Sequence, residues 1–270
     1  MNRAARVLSN PSRLVFGPWQ RFGFGSFDLR CDLDLFPRPH YAYGVQQAAL
    51  LAQRLGLESV SVIEFGVAGG NGLVELERVA ALASEASGVR IEVYGFDRGS
   101  GLPDPIDHRD VPYAWRGGFF EMDVARLKSR LSGARLVLGD LADTIPGFFD
   151  TNPAPVGFVA IDLDYYSSTV DALRIFEGEL GNLLPRVTCY LDDIVGEDMV
   201  FQSKFVGELL AVEEFNARNS SRKIAQINGL AQKRTLPAGW NESMFAVQLF
   251  DHPLYDKYVG PPEEGQQLPL

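Results

Sequence analysis

The sequence predicts an α/β fold: a mostly parallel sheet with helices on both faces and an antiparallel hairpin at its C-terminal end. Through the middle of the chain, short apolar runs alternate with segments whose apolar residues recur at helical spacing, which is typical of a parallel sheet. The runs 60–65 and 156–161 are apolar along most of their length, as in strands that are buried on both faces. The last two strand-like runs, 223–227 and 244–250, have no helical pattern between them and therefore predict the hairpin.

Each element is indicated by its local pattern. The first helix is expected at Tyr41–Leu55, where apolar residues from Val45 onward share one face and Gly56 can cap the end. Repeated strand-to-helix steps then predict a Rossmann-like sheet. The expected elements are strand 60–65, helix 73–86, strand 91–96, helix 123–131, strand 136–138, strand 156–161, helix 169–180, strand 187–191 and a long helix 196–216.

We expect one domain, residues 41–258, preceded by an arm or lid over residues 1–40 and followed by an exposed tail over residues 259–270. A chain of 270 residues can form a single α/β domain with additional segments. Residues 1–27 contain four arginines, five aromatic residues and no Asp or Glu. Such a start is also compatible with a transit peptide, but Gly and Pro interrupt any amphipathic helix here, so an arm is favoured.

Composition narrows the classes of function. The formal net charge of −10 argues against non-specific binding to nucleic acid, which needs clustered Lys and Arg. No apolar run approaches the roughly 18–20 residues that cross a bilayer, so no membrane span is expected. Cys31 and Cys189 are far apart and give neither a disulfide framework nor a metal-binding spacing, which favours a cytoplasmic location. A homo-oligomer stays open, because the aromatic N-terminal arm could contact a second subunit.

A glycine-rich loop follows the first predicted strand and opens the next helix. Residues 64–72 read Glu-Phe-Gly-Val-Ala-Gly-Gly-Asn-Gly, at the position where open α/β sheets bind nucleotides. Gly66, Gly69 and Gly70 would let the backbone turn sharply and approach a ligand closely. The spacing does not fit the dinucleotide pattern Gly-x-Gly-x-x-Gly, and no Gly-Lys-Ser/Thr is present, which excludes a P-loop.

Acidic residues at three successive strand ends indicate the chemistry of the ligand. Glu64 would repel a pyrophosphate but suits S-adenosylmethionine, which carries a sulfonium and an ammonium and no phosphate. Asp97 ends the second strand, where a carboxylate can accept hydrogen bonds from both ribose hydroxyls. Asp140 follows the third strand and could accept one from the adenine amino group. Each acid alone could be an ordinary turn residue, but three together favour a sulfonium-nucleoside site.

Four aspartates follow the fourth and fifth predicted strands. Asp162 and Asp164 end one strand, and Asp192 and Asp193 end the next. If these strands lie side by side next to the first strand, the four carboxylates gather at one edge of the nucleotide crevice, where they would repel each other unless a cation joined them. Oxygen ligands of this kind suit Mg²⁺. A helix-capping role could explain one or two of the aspartates, but not readily all four.

Five segments of the chain also match a known family pattern. They are Glu64-Phe-Gly-Val-Ala-Gly-Gly, Gly95-Phe-Asp-x-x-x-Gly-Leu-Pro103, Gly139-Asp-x-x-Asp-Thr-Ile-Pro146, Asp162-x-Asp-x-Tyr-x-Ser-Thr169 and Asp192-Asp193. Over residues 58–195 the chain thereby resembles the macrocin O-methyltransferase family, class I metal-dependent enzymes that methylate sugar hydroxyls of natural products. The last two segments are the most specific.

The resemblance implies a role for each matching residue. Asp162, Asp192 and Asp193 are implied as ligands of Mg²⁺ or Mn²⁺, and Asp164 as the general base. Cofactor contacts are implied at Glu64, Gly66, Asp97 and Asp140. The chain departs from the family pattern at several positions, which leave the acceptor undetermined. These departures are Leu163 between the first two aspartates, Ser167 in place of an acid, Pro185-Arg-Val before the fifth strand and Arg98-Gly-Ser before Gly-Leu-Pro.

The favoured function is therefore S-adenosylmethionine-dependent methylation of a hydroxyl on a sugar or other small polar metabolite. One alternative is a nicotinamide-dependent oxidoreductase of similar topology, although the glycine spacing and Glu64 argue against it. A second alternative is a cofactor-binding subunit without turnover, although the presence of all four aspartates argues against that. Ligand binding and a methyl-transfer assay would separate the three.

Overall fold

A seven-stranded sheet forms the centre of the protein, whose computed structural model describes residues 25–196 and 199–260. The strands are β1 Ser59–Phe65, β2 Arg90–Asp97, β3 Arg135–Leu138, β4 Val156–Ile161, β5 Leu183–Leu191, β6 Arg222–Gln226 and β7 Met244–Leu249. They lie in the order β3-β2-β1-β4-β5-β7-β6. Strands β1 to β5 pair in parallel, and β7 runs antiparallel between β5 and β6. The predicted sheet with its C-terminal hairpin is confirmed.

Helices cover this sheet. In the described part of the chain they are α1 Phe27–Asp32, α2 Pro39–Leu55, α3 Asn71–Ser87, α4 Val124–Arg130, α5 Leu141–Thr144, α6 Tyr166–Leu173, α7 Gly207–Arg218 and α8 Leu230–Lys233. Helices α2 and α3 pack on each other and on the sheet, and α6 packs on α7 as a second pair. None of the described helices is long and apolar enough to cross a membrane.

Two predicted helices and one predicted strand have different boundaries in the structure, and one described helix was not predicted. Strand β5 begins at Leu183, four residues before the expected start at 187. The helix expected at 169–180 begins earlier, at Tyr166, and gives way after Leu173 to a short 3₁₀ segment. The long helix expected at 196–216 is shorter and begins only at Gly207, because the chain must first return from the end of β5 before α7 can pack on α6. Between β6 and β7 lies the single turn of α8, which is too short to produce a periodic pattern.

The core lies along the central strands. Every residue of β4 is buried, and β1 is buried after its first residue, as expected for strands covered on both faces. The small side chains of Ala42, Ala48 and Ala49 are buried on α2, which contacts β1, β4 and β5. This packing brings the N-terminal end of α2 to the carboxyl ends of the strands.

The predicted arm and tail fall largely outside the described residues, which begin at 25 and end at 260. Within the described part of the arm, α1 is capped by the side chain of Ser26, and Cys31 and Phe36 belong to the core cluster. The domain boundaries at 40/41 and 258/259 stay predictions.

Candidate active site

A cleft of about 520 Å³ opens at the carboxyl ends of β1 to β4. This volume lies within the range of small-molecule sites. Its wall combines the glycine-rich loop, the ends of the strands and the segment after β2. The cleft-lining residues of the predicted site are Glu64, Gly66, Gly69, Gly70, Asp97, Asp140, Asp162 and Asp164. Eight residues that were singled out at separate places in the sequence therefore share one cleft.

The glycine-rich loop is tightly packed at its start. Gly66 adopts φ +85°, and a Cβ there would lie 1.7 Å from the carbonyl oxygen of Asp162. Any side chain at this position would separate β1 from the end of β4. Gly70 also has a positive φ, of +78°, whereas a Cβ on Gly69 would meet nothing within 4 Å. Only part of the predicted glycine requirement is therefore steric.

Glu64 is an almost fully buried acid, with 1% of its surface exposed. The hydroxyl of Tyr41 donates a hydrogen bond of 2.5 Å to its Oε1 atom, and Oε2 finds no partner among the described residues. A Cβ on Gly72 would lie 1.8 Å from Oε1, so the first turn of α3 rests directly on the carboxyl group. Burial raises the pKa of Glu64 to about 7, although the Tyr41 hydrogen bond and Arg38 lower it.

Asp97 holds the glycine-rich loop. Its Oδ2 accepts hydrogen bonds from the backbone N–H groups of Val67 (2.9 Å) and Ala68 (2.8 Å), and its Oδ1 accepts one from Gly99 (2.5 Å). Ala68 lies at φ +46°, which a non-glycine residue rarely adopts, so these bonds help to hold the turn. The sequence predicted a ribose contact and missed this loop-holding role. A carboxylate has about four acceptor sites, so one is left for a ribose hydroxyl. The ribose contact stays a prediction.

Asp140 lies at the opposite end of the cleft, as the residue before α5. Its Oδ1 is 3.0 Å from Nε of Arg98, and both side chains are about half-exposed. In the sequence, Arg98 stands out only as a departure from the family pattern, whereas the structure makes it the ion-pair partner of Asp140. The adenine contact of Asp140 stays a prediction.

The aspartates of β4 and β5 come together because these strands are neighbours in the sheet. Asp162, Asp192 and Asp193 each offer one carboxylate oxygen such that the oxygens lie within 4.8 Å of one another. Asp164 lies beside them: it is 6% exposed, and its backbone N–H donates a hydrogen bond of 2.9 Å to Oδ2 of Asp193. The four predicted residues thus form one cluster.

The cluster is electrostatically unfavourable in the absence of a cation. Burial raises the pKa of Asp162 well above its usual range, and Asp192, Asp193 and Glu64 raise it further. Burial, followed by the charges of Asp162 and Asp192, raises the pKa of Asp164 to about 7. Burial and the charge of Asp164 raise the pKa of Asp193 to about 8. A divalent cation would offset this repulsion.

Two residues of the cluster were not predicted. Glu208 on α7 is fully buried, and its Oε2 accepts a hydrogen bond of 3.1 Å from the backbone N–H of Asp193. The hydroxyl of Tyr190 donates to Oδ1 of Asp192 at 2.5 Å. Tyr190 could have been found, because it lies at the end of β5, two positions before Asp192. Glu208 gave no signal, because the sequence placed it in the middle of a longer helix.

Ser167, where the family pattern has an acid, fixes the start of α6 to the opposite wall. Its backbone N–H donates to Oδ1 of Asp110 at 2.8 Å, and its hydroxyl donates to Oδ2 at 3.0 Å. Asp110 is fully buried and also accepts from the backbone N–H of Ile106. An acidic side chain from the segment after β2 therefore lies beside Ser167.

No protein-family model matches the chain, and no curated protein matches it. Among solved structures, the chain is similar to CalS11, a calicheamicin methyltransferase, with 22% identity and a TM-score of 0.51 over 79% of this chain and 81% of that one. It is also similar to the O-methyltransferase NovP, with 16% identity and a TM-score of 0.51 over 78% and 79% of the two chains. The fold is the Rossmann-like methyltransferase fold.

The methyltransferase fold agrees with the sheet order and with a cleft at the carboxyl ends of the parallel strands. At these identities the similarity concerns the fold. The narrower resemblance to the macrocin O-methyltransferase family stays a prediction.

Proposed function

We propose that the protein is an S-adenosylmethionine-dependent O-methyltransferase whose acceptor is a hydroxyl on a sugar or other small polar metabolite. The observation that carries the proposal is a cleft that joins a glycine-rich loop over a buried acid to Asp162 and Asp164, behind which Asp192 and Asp193 complete the aspartate cluster without lining the cleft. The two parts answer the two needs of the reaction, namely a site for a cationic nucleoside and a site that activates a hydroxyl.

The residues present fit the cofactor. Oε2 of Glu64 is buried without a partner among the described residues, and an ammonium group would satisfy it. Asp97 and Asp140 line the other end of the cleft, where acceptor oxygens suit the ribose hydroxyls and the adenine amino group.

The residues present also fit a divalent ion. Asp162, Asp192 and Asp193 would hold Mg²⁺ or Mn²⁺, since both prefer carboxylate oxygens and leave positions open for a substrate. When bound, such an ion supplies Lewis-acid polarisation of the acceptor oxygen. Tyr190 and Glu208 hold Asp192 and Asp193 in place from behind.

Asp164 would act as the general base. It would accept the proton of the acceptor hydroxyl as that oxygen attacks the methyl group. The cofactor would supply the methyl group, and its sulfur would keep the electron pair of the carbon–sulfur bond. A base works best when its pKa lies near the working pH, and the pKa of Asp164 is raised to about 7 by burial and by Asp162. Because it follows Asp162 by two residues and lines the same cleft, Asp164 would reach the same substrate.

The acceptor class rests on the cleft wall and on the resemblance. Ser167, Ser168 and Asp171 contribute polar atoms to the lining of the cleft, whereas Leu102, Ile106 and Phe120 contribute apolar surface. CalS11, which shares the fold, carries the name of a calicheamicin methyltransferase. A sugar with an apolar substituent would match both kinds of lining.

The proposal is tested by calorimetry with S-adenosylhomocysteine and by transfer of labelled methyl groups to a panel of glycosides and nucleotide sugars with Mg²⁺. Binding of S-adenosylhomocysteine and transfer that stops with a chelator are expected. Binding of NAD instead would favour the oxidoreductase. Binding of S-adenosylhomocysteine without transfer to any acceptor, beside an active control methyltransferase, would favour the subunit without turnover.

A further inference from the structure

Arg38 lines the cleft next to Glu64, and the sequence did not predict a role for it. It is the residue before the first turn of α2 and it makes no capping hydrogen bond with its side chain. Its guanidinium lies over the ring of Tyr41, 5.0 Å from the ring centroid, and its Nη1 donates to the Tyr41 hydroxyl at 3.4 Å. The same hydroxyl donates to Glu64. Tyr41 therefore joins an arginine and a buried acid at one place in the cleft wall.

Most of the hydrogen-bond donors of Arg38 are unused. A guanidinium has five N–H donors, and among residues 25–196 and 199–260 that of Arg38 has only the long bond to Tyr41 and no ion pair with a carboxylate. By contrast, Arg98, which lines the same cleft, is paired with Asp140. A charged fork that faces a cleft with free donors suits a carboxylate ligand, because the two oxygens can accept two parallel hydrogen bonds.

The orientation of the cofactor follows from the sheet order. In the sequence β3-β2-β1-β4, Asp140 and Asp97 mark the nucleoside end at β3 and β2, and Asp164 marks the transfer site at β4. The methyl group must face Asp164, so the sulfur lies between these two ends and the amino-acid end lies over β1. The residues at that place are Glu64 and Arg38. Glu64 has a carboxyl group and Arg38 a positively charged guanidinium. The amino-acid end of the cofactor is a zwitterion, with one group that suits each of them.

We propose that Arg38 binds the α-carboxylate of the amino-acid end of S-adenosylmethionine, while Glu64 faces its α-ammonium. This inference rests on the proposed function, because it assumes this cofactor. The competing interpretation is that Arg38 only balances the negative charge of Glu64, Asp162 and Asp192. The two interpretations differ in what they demand of the ligand: only the first requires a carboxylate.

The test compares two ligands by calorimetry. S-Adenosylhomocysteine has the amino-acid end, whereas 5′-methylthioadenosine has the same nucleoside and a thioether but no amino acid. Arg38→Gln should lower the affinity for S-adenosylhomocysteine by about 10- to 100-fold, because this ligand loses a charged hydrogen bond. The affinity for 5′-methylthioadenosine, which has no such bond to lose, should stay within about 3-fold of wild type. Arg38→Lys should lie between Gln and wild type, since it keeps the charge and loses the fork.

Arg98→Gln is the matched control, because it removes another arginine from the same cleft at the nucleoside end. Arg98→Gln should change the affinities for S-adenosylhomocysteine and 5′-methylthioadenosine by the same factor. The assignment of Arg38 would be overturned if Arg38→Gln lowered the affinities for both ligands equally, or if it left the affinity for S-adenosylhomocysteine unchanged. If wild type binds neither ligand, the proposed function itself fails, and the two failures are thus distinguishable.

Discussion

Asp164 combines a buried carboxyl group with a left-handed backbone conformation, at φ +61°. Few residues adopt this conformation readily, but Asn is among them. The hydrogen bond from Asp164 to Asp193 comes from the backbone and does not depend on the side chain. Asp164→Asn therefore keeps the shape of the site and removes only the base, whereas Asp164→Ala would also strain the turn.

We expect Asp164→Asn to lower kcat by about 10²- to 10⁴-fold, the usual contribution of a positioned general base. Affinities for S-adenosylhomocysteine and Mn²⁺ should stay nearly unchanged, because Asp164 is not among the proposed metal ligands. Single-turnover transfer and calorimetry measure the two effects. Loss of the metal together with a normal rate at saturating Mg²⁺ would show that Asp164 is a ligand instead.

Glu64 couples cofactor binding to pH. Burial raises its pKa to about 7, so it is protonated below that value and negatively charged above it. An adjacent ammonium favours the charged form, and the affinity for S-adenosylhomocysteine should therefore fall as the pH is lowered from about 7.5 to about 5.5. The affinity for 5′-methylthioadenosine, which has no ammonium, serves as the reference. A ratio of the two affinities that is constant over this range, or equally steep in Glu64→Gln, would contradict this role.

At the scale of elements, the junction of the glycine-rich loop with α3 sets the geometry of the cleft. Gly72 lies in the first turn of α3, where Ala would normally be favoured over Gly by about 1 kcal/mol. The carboxyl group of Glu64 reverses this preference, because the added Cβ would lie 1.8 Å from its Oε1. Overpacking of this kind costs about 1–3 kcal/mol.

Gly72→Ala should therefore lower the melting temperature of the protein and its affinity for S-adenosylhomocysteine. Gly69→Ala is the matched control for stability, because its Cβ would meet nothing within 4 Å and its φ is not positive. Its melting temperature should stay close to that of wild type. Thermal unfolding of the two variants side by side decides the matter, and a Gly72→Ala protein as stable as wild type would show that the first turn of α3 can move away.

The sequence predicted strands better than helix ends, for a physical reason. The strands β1 and β4 are buried on both faces, so their apolar runs are visible without knowledge of their neighbours. The start of α7 depends instead on the path by which the chain returns from β5, which no local pattern encodes. Asp97 shows the same limit: its strand-end position was predictable, but its bonds to Val67 and Ala68 depend on the three-dimensional turn.

For the whole molecule, the acids of the cleft and of the aspartate cluster oppose folding at neutral pH. Glu64 and Asp164 have pKa values raised to about 7, and Asp193 to about 8, chiefly by burial. The folded state thus binds protons that the unfolded state has lost, so the free energy of unfolding falls as the pH rises from about 4 to about 8. A divalent ion that binds the charged cluster opposes this fall.

We expect Mn²⁺ to raise the melting temperature, and to do so more at pH 8 than at pH 5.5, relative to buffer with a chelator. The reason is that the ion binds carboxylates that have lost their protons. Asp193→Asn should abolish most of the increase in melting temperature that Mn²⁺ causes. In buffer with a chelator, it should also make the melting temperature fall less steeply as the pH rises. The proposed metal site would be refuted by an identical response to Mn²⁺ in Asp193→Asn and wild type.

The assembly of the site was predictable only at the level of the sheet. The sequence allows, as one arrangement that would gather the aspartates, β4 and β5 side by side next to β1. The structure has this order, which brings Asp162, Asp192 and Asp193 together. Arg38 and Glu208 come from helices that precede and follow this region, and only their packing against the sheet brings Arg38 to the cleft and Glu208 to the backbone of Asp193.

The contacts proposed for Arg38 and Glu64 hold a part of the cofactor that methyl transfer leaves intact. The spent product keeps the same amino acid and the same nucleoside, and it differs only by the loss of a methyl group and one positive charge. A cleft that binds these unchanged parts would bind the product about as tightly as the methyl donor. The rate of turnover would then depend on the concentration ratio of S-adenosylmethionine to S-adenosylhomocysteine. Removal of S-adenosylhomocysteine by another enzyme would therefore increase the rate.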